Sequence, residues 1–205
     1  MKVRRLAEVY EKMRHTAAEF VQAPDGMVFG EGDIKARIML IGEAPGAEEI
    51  RLKRPFVGRA GKNLDMFLAV IGQKRETIYI SNVVKYRPVR RSKKGTVANR
   101  SPNRKEIRAF STLLMEEIRI IQPEIVVTLG NVPLFAVTGD MTLKIGTVHA
   151  KTMPIDAEGH ACTLFPLYHP ASIIYNRALK AVYAEDLRVL AAYIKRRKSL
   201  RKTLK

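Results

Sequence analysis

Ala36-Arg-Ile-Met-Leu-Ile-Gly42, followed at once by Glu43-Ala44-Pro45-Gly46, is the stretch that decides the fold. The apolar run is short and breaks at glycine, so it reads as a buried strand. A loop of unusual polar chemistry begins where the run stops. The same alternation recurs outward from it. Leu64, Phe67, Leu68 and Ile71 form one face of a helix that Gly72 closes. Thr77-Ile-Tyr-Ile-Ser-Asn82 is a second strand, and Glu124-Ile-Val-Val-Thr-Leu-Gly130 a third. Between those two, Ser101-Pro102 looks like an N-cap with proline at the first helical position. Ile107, Phe110, Leu114, Ile118 and Ile121 then give a helical stripe. Toward the N-terminus, Leu6, Tyr10, Met13, Ala17 and Phe20 share a helix face, and Pro24-Asp25-Gly26 ends that helix. Toward the C-terminus, residues 145–168 read as a hairpin around Asp156–Gly159, its second arm running through Cys162–Leu167. Tyr183, Leu187, Leu190 and Ile194 make the last helix.

Strands alternating with helices predict a three-layer α/β/α sandwich around a central, mainly parallel four-stranded sheet. No linker divides the chain. A single domain over 1–195 and a basic tail over 196–205 are expected. Apolar residues make up 46% of the 205 and charged residues 28%, which excludes a disordered chain. No apolar run approaches the roughly 18–20 residues that span a bilayer. The basic start, Met1 to Arg5, is followed by Glu8 and Glu11 in a helical pattern, where a signal peptide needs a continuous apolar segment. An intracellular, cytoplasmic protein without membrane contact is expected. Cys162 stands alone, so neither an internal disulfide nor a cysteine-held metal cluster is available.

Charge is concentrated. The chain carries 37 Lys+Arg against 20 Asp+Glu, a net of +17. Residues 85–105 hold nine cations (Lys85, Arg87, Arg90, Arg91, Lys93, Lys94, Arg100, Arg104, Lys105), and residues 195–205 hold seven, neither segment containing an acid. The remainder is nearly neutral, at 21 basic against 20 acidic. Such patches attract a polyanion by releasing its condensed counterions. For the tail alone, a solvated solubilising end explains the charge equally well. The internal segment interrupts the fold beside a candidate site, which favours phosphate contact.

Parallel sheets bind ligands at the carboxyl ends of their strands. There lie Gly42–Gly46, Asn82, Gly130-Asn131 and His169-Pro170. Together with Arg54-Pro-Phe-Val-Gly58-Arg-Ala-Gly61 and Asn82-Val-Val-Lys85-x-Arg-Pro88, these blocks resemble the family 4 uracil-DNA glycosylases in order and spacing. The resemblance covers roughly residues 25–195. It implies an enzyme that flips a base out of DNA and reads it in a pocket. Phe56 would stack on the flipped uracil; an ordinary core phenylalanine is the alternative. Asn82, whose amide offers a donor and an acceptor, would pair with uracil and refuse cytosine; a turn asparagine at a strand end is the alternative. His169 would donate to uracil O2 as the bond breaks, while His15, His149 and His160 read as structural. Glu43 would position the attacking water, with Glu48 and Glu49 on the same loop able to share that work; for Glu48 a solvated carboxylate favoured by the macrodipole at a helix start is the better reading. By resemblance, Glu49 sits where the family blocks the C5-methyl of thymine. Main-chain N–H groups around Ala44 and Gly46 would hold uracil or water. The DNA-contacting residues would be Lys85, Arg87, Arg90, Arg91, Lys93 and Lys94, and the loop carrying Ser172 and Arg177, where Ile173 or Ile174 would act as wedge; helical packing explains those two isoleucines equally well.

One departure is plain. Family 4 enzymes usually carry four cysteines that bind an iron–sulfur cluster. Here the matching positions read His15-Thr-Ala-Ala18, Tyr86 and Ala109–Ser111. No cluster, no other cofactor and no metal are expected. The expected enzyme is a monomeric, monofunctional glycosylase acting on uracil-containing DNA. Two other readings are a catalytically silent relative that recognises uracil or damaged DNA, and an unrelated α/β enzyme with Gly42–Gly46 as a phosphate loop. The loop lacks the G-x-x-x-x-G-K-[ST] and G-x-G-x-x-G patterns, which counts against the last.

Overall fold

Ile38–Gly42 is buried at every position, and its alternate side chains divide the protein into two cores. Met39 and Ile41 face one layer; Ile38 and Leu40 face the other. The computed structural model describes residues 1–21 and 26–203, apart from the side chains of Ile174, Tyr175 and Lys202. The helix stop expected at Pro24-Asp25, the wedge side chain of Ile174 and the tail cations Lys202 and Lys205 lie outside the described residues.

In chain order the elements are α1 (Lys2–Ala18), β1 (Glu31–Gly32), β2 (Ile38–Gly42), α2 (Ala47–Leu52), α3 (Arg59–Val70), β3 (Tyr79–Asn82), β4 (Val89–Arg91) and β5 (Val97–Asn99). There follow α4 (Arg104–Ile121), β6 (Ile125–Leu129), α5 (Asn131–Thr138), α6 (Ile145–Val148), β7 (Met153–Asp156), β8 (Ala161–Leu167), α7 (Ser172–Tyr175) and α8 (Leu179–Thr203). The main sheet has six strands in the order β1-β3-β2-β6-β8-β7, not four. The four expected strands are its parallel centre. The other two pair antiparallel at the edges. β1 has only two residues, with no apolar alternation to betray it. β7 is the first arm of the expected hairpin, and it joins the sheet; residues 145–148 fold into α6 instead.

Helices α1, α4 and α5 cover one face of the sheet through Leu6, Met13, Phe110, Leu114, Ile118 and Leu134. Helices α3 and α8 cover the other through Leu64, Phe67, Leu68, Leu187 and Leu190. Fully burying one such side chain stabilises the fold by about 1.5–3 kcal/mol. The N-cap of α4 is Asn103, a correction to Ser101. Asn103 Oδ1 accepts from the N–H groups of Lys105 and Glu106, while Glu106 accepts from the Asn103 N–H. That reciprocal pair satisfies more end groups than a serine followed by proline. α8 continues to Thr203, and Arg201 there donates to Glu124 at 2.6 Å.

Candidate active site

A cavity of about 330 Å³ opens at the carboxyl ends of the parallel strands, lined by residues at or just after the ends of β2, β3 and β8, with the end of β6 packed behind His169. Gly42 ends β2, Asn82 ends β3, Gly130 follows β6 and His169 follows β8. Gly42 is what lets the walls close in. A Cβ there would lie 2.4 Å from Asn82 Oδ1 and 2.4 Å from the Phe56 ring. Only a glycine admits both groups at once. Phe56 holds φ at 53°, a left-handed backbone that costs free energy in a bulky residue. Its surroundings impose that conformation. Gly61 leaves room for the Phe56 carbonyl, which a Cβ would meet at 1.9 Å. The Arg75 guanidinium, paired with Asp65, donates to the Phe56 and Pro55 carbonyls. The ring is thereby turned inward, stacked 6.0 Å from the His169 ring at 29°.

His169 has a defined tautomer. The Ala171 N–H donates to Nδ1 at 3.1 Å, so the proton sits on Nε2, which is left free to donate. Burial lowers its pKa to about 4, against a smaller upward pull from Glu49, so the ring is neutral near pH 7. Asn63 donates to the Pro170 carbonyl and ties this loop to α3.

Asn82 is 3% exposed and lines the cavity. Among the described residues, no protein group hydrogen-bonds its side-chain amide. The amide is not sealed in the core but opens onto the cavity, where a hydrogen-bonding ligand can complete it. Its backbone is held firmly instead. The Lys85 ammonium donates to the Asn82 carbonyl at 2.6 Å, to Ser81 Oγ at 2.6 Å and to Glu117 at 2.8 Å. Lys85 and Glu117 are both fully buried. Burial pulls the ammonium below the usual lysine range, and Glu117 opposes that pull. The expected phosphate contact of Lys85 is therefore corrected: it cannot reach DNA, and its role is internal.

Glu49, at the first turn of α2, lines the cavity and is spanned by main-chain donors. It accepts from the N–H groups of Gly46, Val57 and Gly58. Ala44 and Glu48 also line the cavity. Glu43 adjoins it in the chain but is not among the lining residues. Burial raises its pKa, and the Ser101 hydroxyl opposes the rise. The structure thus brings Ala44, Glu49, Phe56, Asn82 and His169 together. Asn99, missed in the sequence, joins them from β5. Arg87 donates to Asn99 Oδ1 at 2.6 Å, which leaves the amide nitrogen to face the cavity. Its one sequence signal is an uncharged amide amid cations.

Arg90, Arg91, Lys93 and Lys94 are exposed on the β4–β5 hairpin beside this mouth. Arg177 is exposed, Ser172 half-buried, and Ile173 packs partly against the Phe56 side of the core. Of the three other histidines, His149 bonds Asp186, His160 bonds the Pro123 carbonyl and His15 is exposed.

A parallel α/β/α sandwich thus carries a ring, an amide and a neutral imidazole on the lining of one strand-end cavity, a set suited to a planar, hydrogen-bonding ligand. The model of the Uracil DNA glycosylase superfamily matches residues 29–191. A type-4 uracil-DNA glycosylase of Saccharolobus solfataricus is 40% identical over 163 residues, covering 78% of this chain and 72% of that protein. One from Thermotoga maritima is 38% identical over 173 residues, covering 83% and 84%. One from Sulfurisphaera tokodaii is 40% identical over 163 residues, covering 78% and 70%. The chain belongs to the uracil-DNA glycosylase superfamily and, within it, to the type-4 family.

The residues present do not fit the iron–sulfur cluster that this family usually carries. Tyr86 is buried, donates its hydroxyl to Glu106 and packs 6.0 Å from the Phe110 ring. Arg100 completes the group with an ion pair to Glu106 at 2.6 Å. Cys162 lies in β8, its thiol pushed up to about 11 by burial, and it is the one cysteine of the chain where such a cluster takes four. Among the described residues, no group of three or more His, Cys, Asp or Glu is placed to hold a metal ion.

Proposed function

We propose that this protein removes uracil from DNA by hydrolysing its N-glycosidic bond, as a monomeric, monofunctional, cofactor-independent glycosylase working inside the cell. Residues 1–195 form the working domain, and 196–205 add positive charge. The observation that carries the reading is that Asn82, whose side-chain amide has no protein hydrogen-bond partner among the described residues, lines the same cavity as the Phe56 ring and His169, whose Nε2–H is free to donate. A flipped uracil completes that set. Its ring stacks on Phe56. Asn82 accepts from N3–H and donates to O4. Cytosine offers the opposite pattern and leaves buried groups unpaired, a discrimination of about 10⁴-fold.

As the C1′–N1 bond breaks, its electron pair moves onto the base and O2 gains negative charge. His169 Nε2–H stabilises that charge without first having to lose a proton. Glu43, its pKa raised by burial, orients the water that attacks C1′ and takes up its proton. Glu49, fixed by three main-chain bonds, stands where a C5-methyl would sit. The cations at 87–94 and Arg177 hold the DNA backbone, and Ser172 and Ile173 enter the duplex.

The test incubates the protein with a uracil-containing oligonucleotide and a metal chelator, then cleaves abasic sites with alkali. Strand breaks are expected. His169→Ala should slow single-turnover excision about 10²- to 10³-fold with little loss of DNA affinity. Binding without breaks by the native protein, or full turnover by His169→Ala, contradicts the reading.

A further inference from the structure

The second basic segment does not join the first. The β4–β5 hairpin stands at the carboxyl ends of the parallel strands. α8 runs the other way, and its last turns pack beside the strands' amino ends, where Arg201 meets Glu124 just ahead of β6. There a cleft of about 200 Å³ opens, lined by Lys35, Arg37, Arg197, Lys198 and Arg201 against Asp33 and Glu124. Glu124 is already taken by Arg201 at 2.6 Å and Arg37 at 3.5 Å. Among the described residues, Lys35, Arg197 and Lys198 have no ion-pair partner, and Lys35 and Lys198 are exposed.

Geometry decides what this cleft can serve. β8 has seven residues, so the two ends of the sheet stand about 20 Å apart. That is more than two Debye lengths at physiological salt, each about 8 Å, so the two patches act as separate fields. A duplex lying across the active-site mouth cannot fold back to the opposite end, because DNA stays stiff over roughly 150 base pairs. We propose that the α8 end and Lys35 form a second DNA-binding surface, which holds a separate duplex segment while the active-site mouth is occupied. The protein would then bridge two segments and pass between them without full release. The bridging, though not the second surface itself, rests on the hairpin side binding DNA as proposed above.

The test tethers one duplex carrying a non-cleavable uracil analogue, loads the protein, washes, and adds a second, uracil-free duplex with a fluorophore. The comparison is the variant Lys35→Gln/Arg197→Gln/Lys198→Gln, which keeps Arg201 on Glu124. Native protein should capture the second duplex and the variant should capture at least tenfold less. The log–log salt slope of that capture should fall by about 2 to 3 in the variant. Excision from a short uracil oligonucleotide should be equal in both, which also reports that the variant is folded. Equal capture by variant and native, or no capture by native, overturns the proposal. So does capture of polyglutamate in place of duplex, which would mark an acidic protein as the ligand. Loss of excision with capture of free duplex intact counts against the glycosylase reading alone.

Discussion

Gly42→Ala places one methyl group where the pocket has no room for it. The added carbon would stand 2.4 Å from Asn82 Oδ1, 2.4 Å from one Phe56 ring carbon and 2.7 Å from the next. Ordinary contact begins near 3.4 Å, so ring and amide must each retreat by about 1 Å. A misplacement of that size at reacting groups costs about 10²-fold in rate, or roughly 2.7 kcal/mol of transition-state stabilisation. Overpacking should also cost about 1–3 kcal/mol of stability, which lowers Tm by roughly 2–12 °C in a domain of this size. The assay is single-turnover excision of uracil at saturating enzyme, at a temperature where the variant is folded, so that affinity drops out. Gly146→Ala is the control, since its added carbon meets only the Tyr168 hydroxyl at 3.7 Å. It should leave the rate unchanged. A Gly42→Ala rate within threefold of native would mean that Phe56 and Asn82 do not act from the positions described, and the pocket reading would fall.

Other outcomes follow from the same structure. Lys85→Met strands the Glu117 carboxylate in the core, so it should cost about 3–5 kcal/mol and roughly 6–20 °C in Tm. Lys85→Met/Glu117→Leu should recover most of that loss, and a single-variant shift under about 2 °C would contradict a buried pair. His169 has a lowered folded pKa, so the unfolded chain binds its proton first as pH falls. Its contribution is intact above pH 6.5 and is lost as pH falls toward about 4. His169→Gln should therefore show less acid destabilisation than native when urea midpoints are compared at pH 7 and 4.5. Equal losses would show that the histidine titrates normally. Neutralising Arg90, Arg91, Lys93 and Lys94 together should weaken binding of uracil-containing DNA uniformly across sequences and flatten its salt slope by about 3 to 4. An unchanged slope would remove the hairpin from the DNA interface.

The parallel core was legible because its strands are short apolar runs and its helices carry clean stripes. Met39 and Ile41, or Leu64 and Phe67, have no other use than burial. The edges were not legible, since Glu31–Gly32 pairs through backbone alone and leaves no pattern in side chains. Much of the cavity lining was readable, because Asn82 and His169 are costly residue types at strand ends and Phe56 stands in a Pro-Phe-Val-Gly loop that is no core-strand pattern. Lys85 was misread for a general reason: a lysine among cations reads as surface, and its partner lies 32 residues away. A trace existed. Glu117 falls three residues after Leu114, on the apolar stripe of α4, and a carboxylate in a core stripe calls for a buried cation. Asn103 was overlooked for a nearer serine–proline pair, although Glu106 three residues on completes a reciprocal cap.

The Lys85–Glu117 pair separates two properties that are usually tuned together. Its charges are sealed from solvent ions, so dissolved salt leaves the placement of Asn82 untouched, while the exposed cations of the hairpin lose their grip on phosphate as salt rises. Under the proposed reading, a saline cytoplasm would make this protein slower to find a lesion but no worse at judging one. On that reading its accuracy is built into the interior, and only its search is at the mercy of the medium.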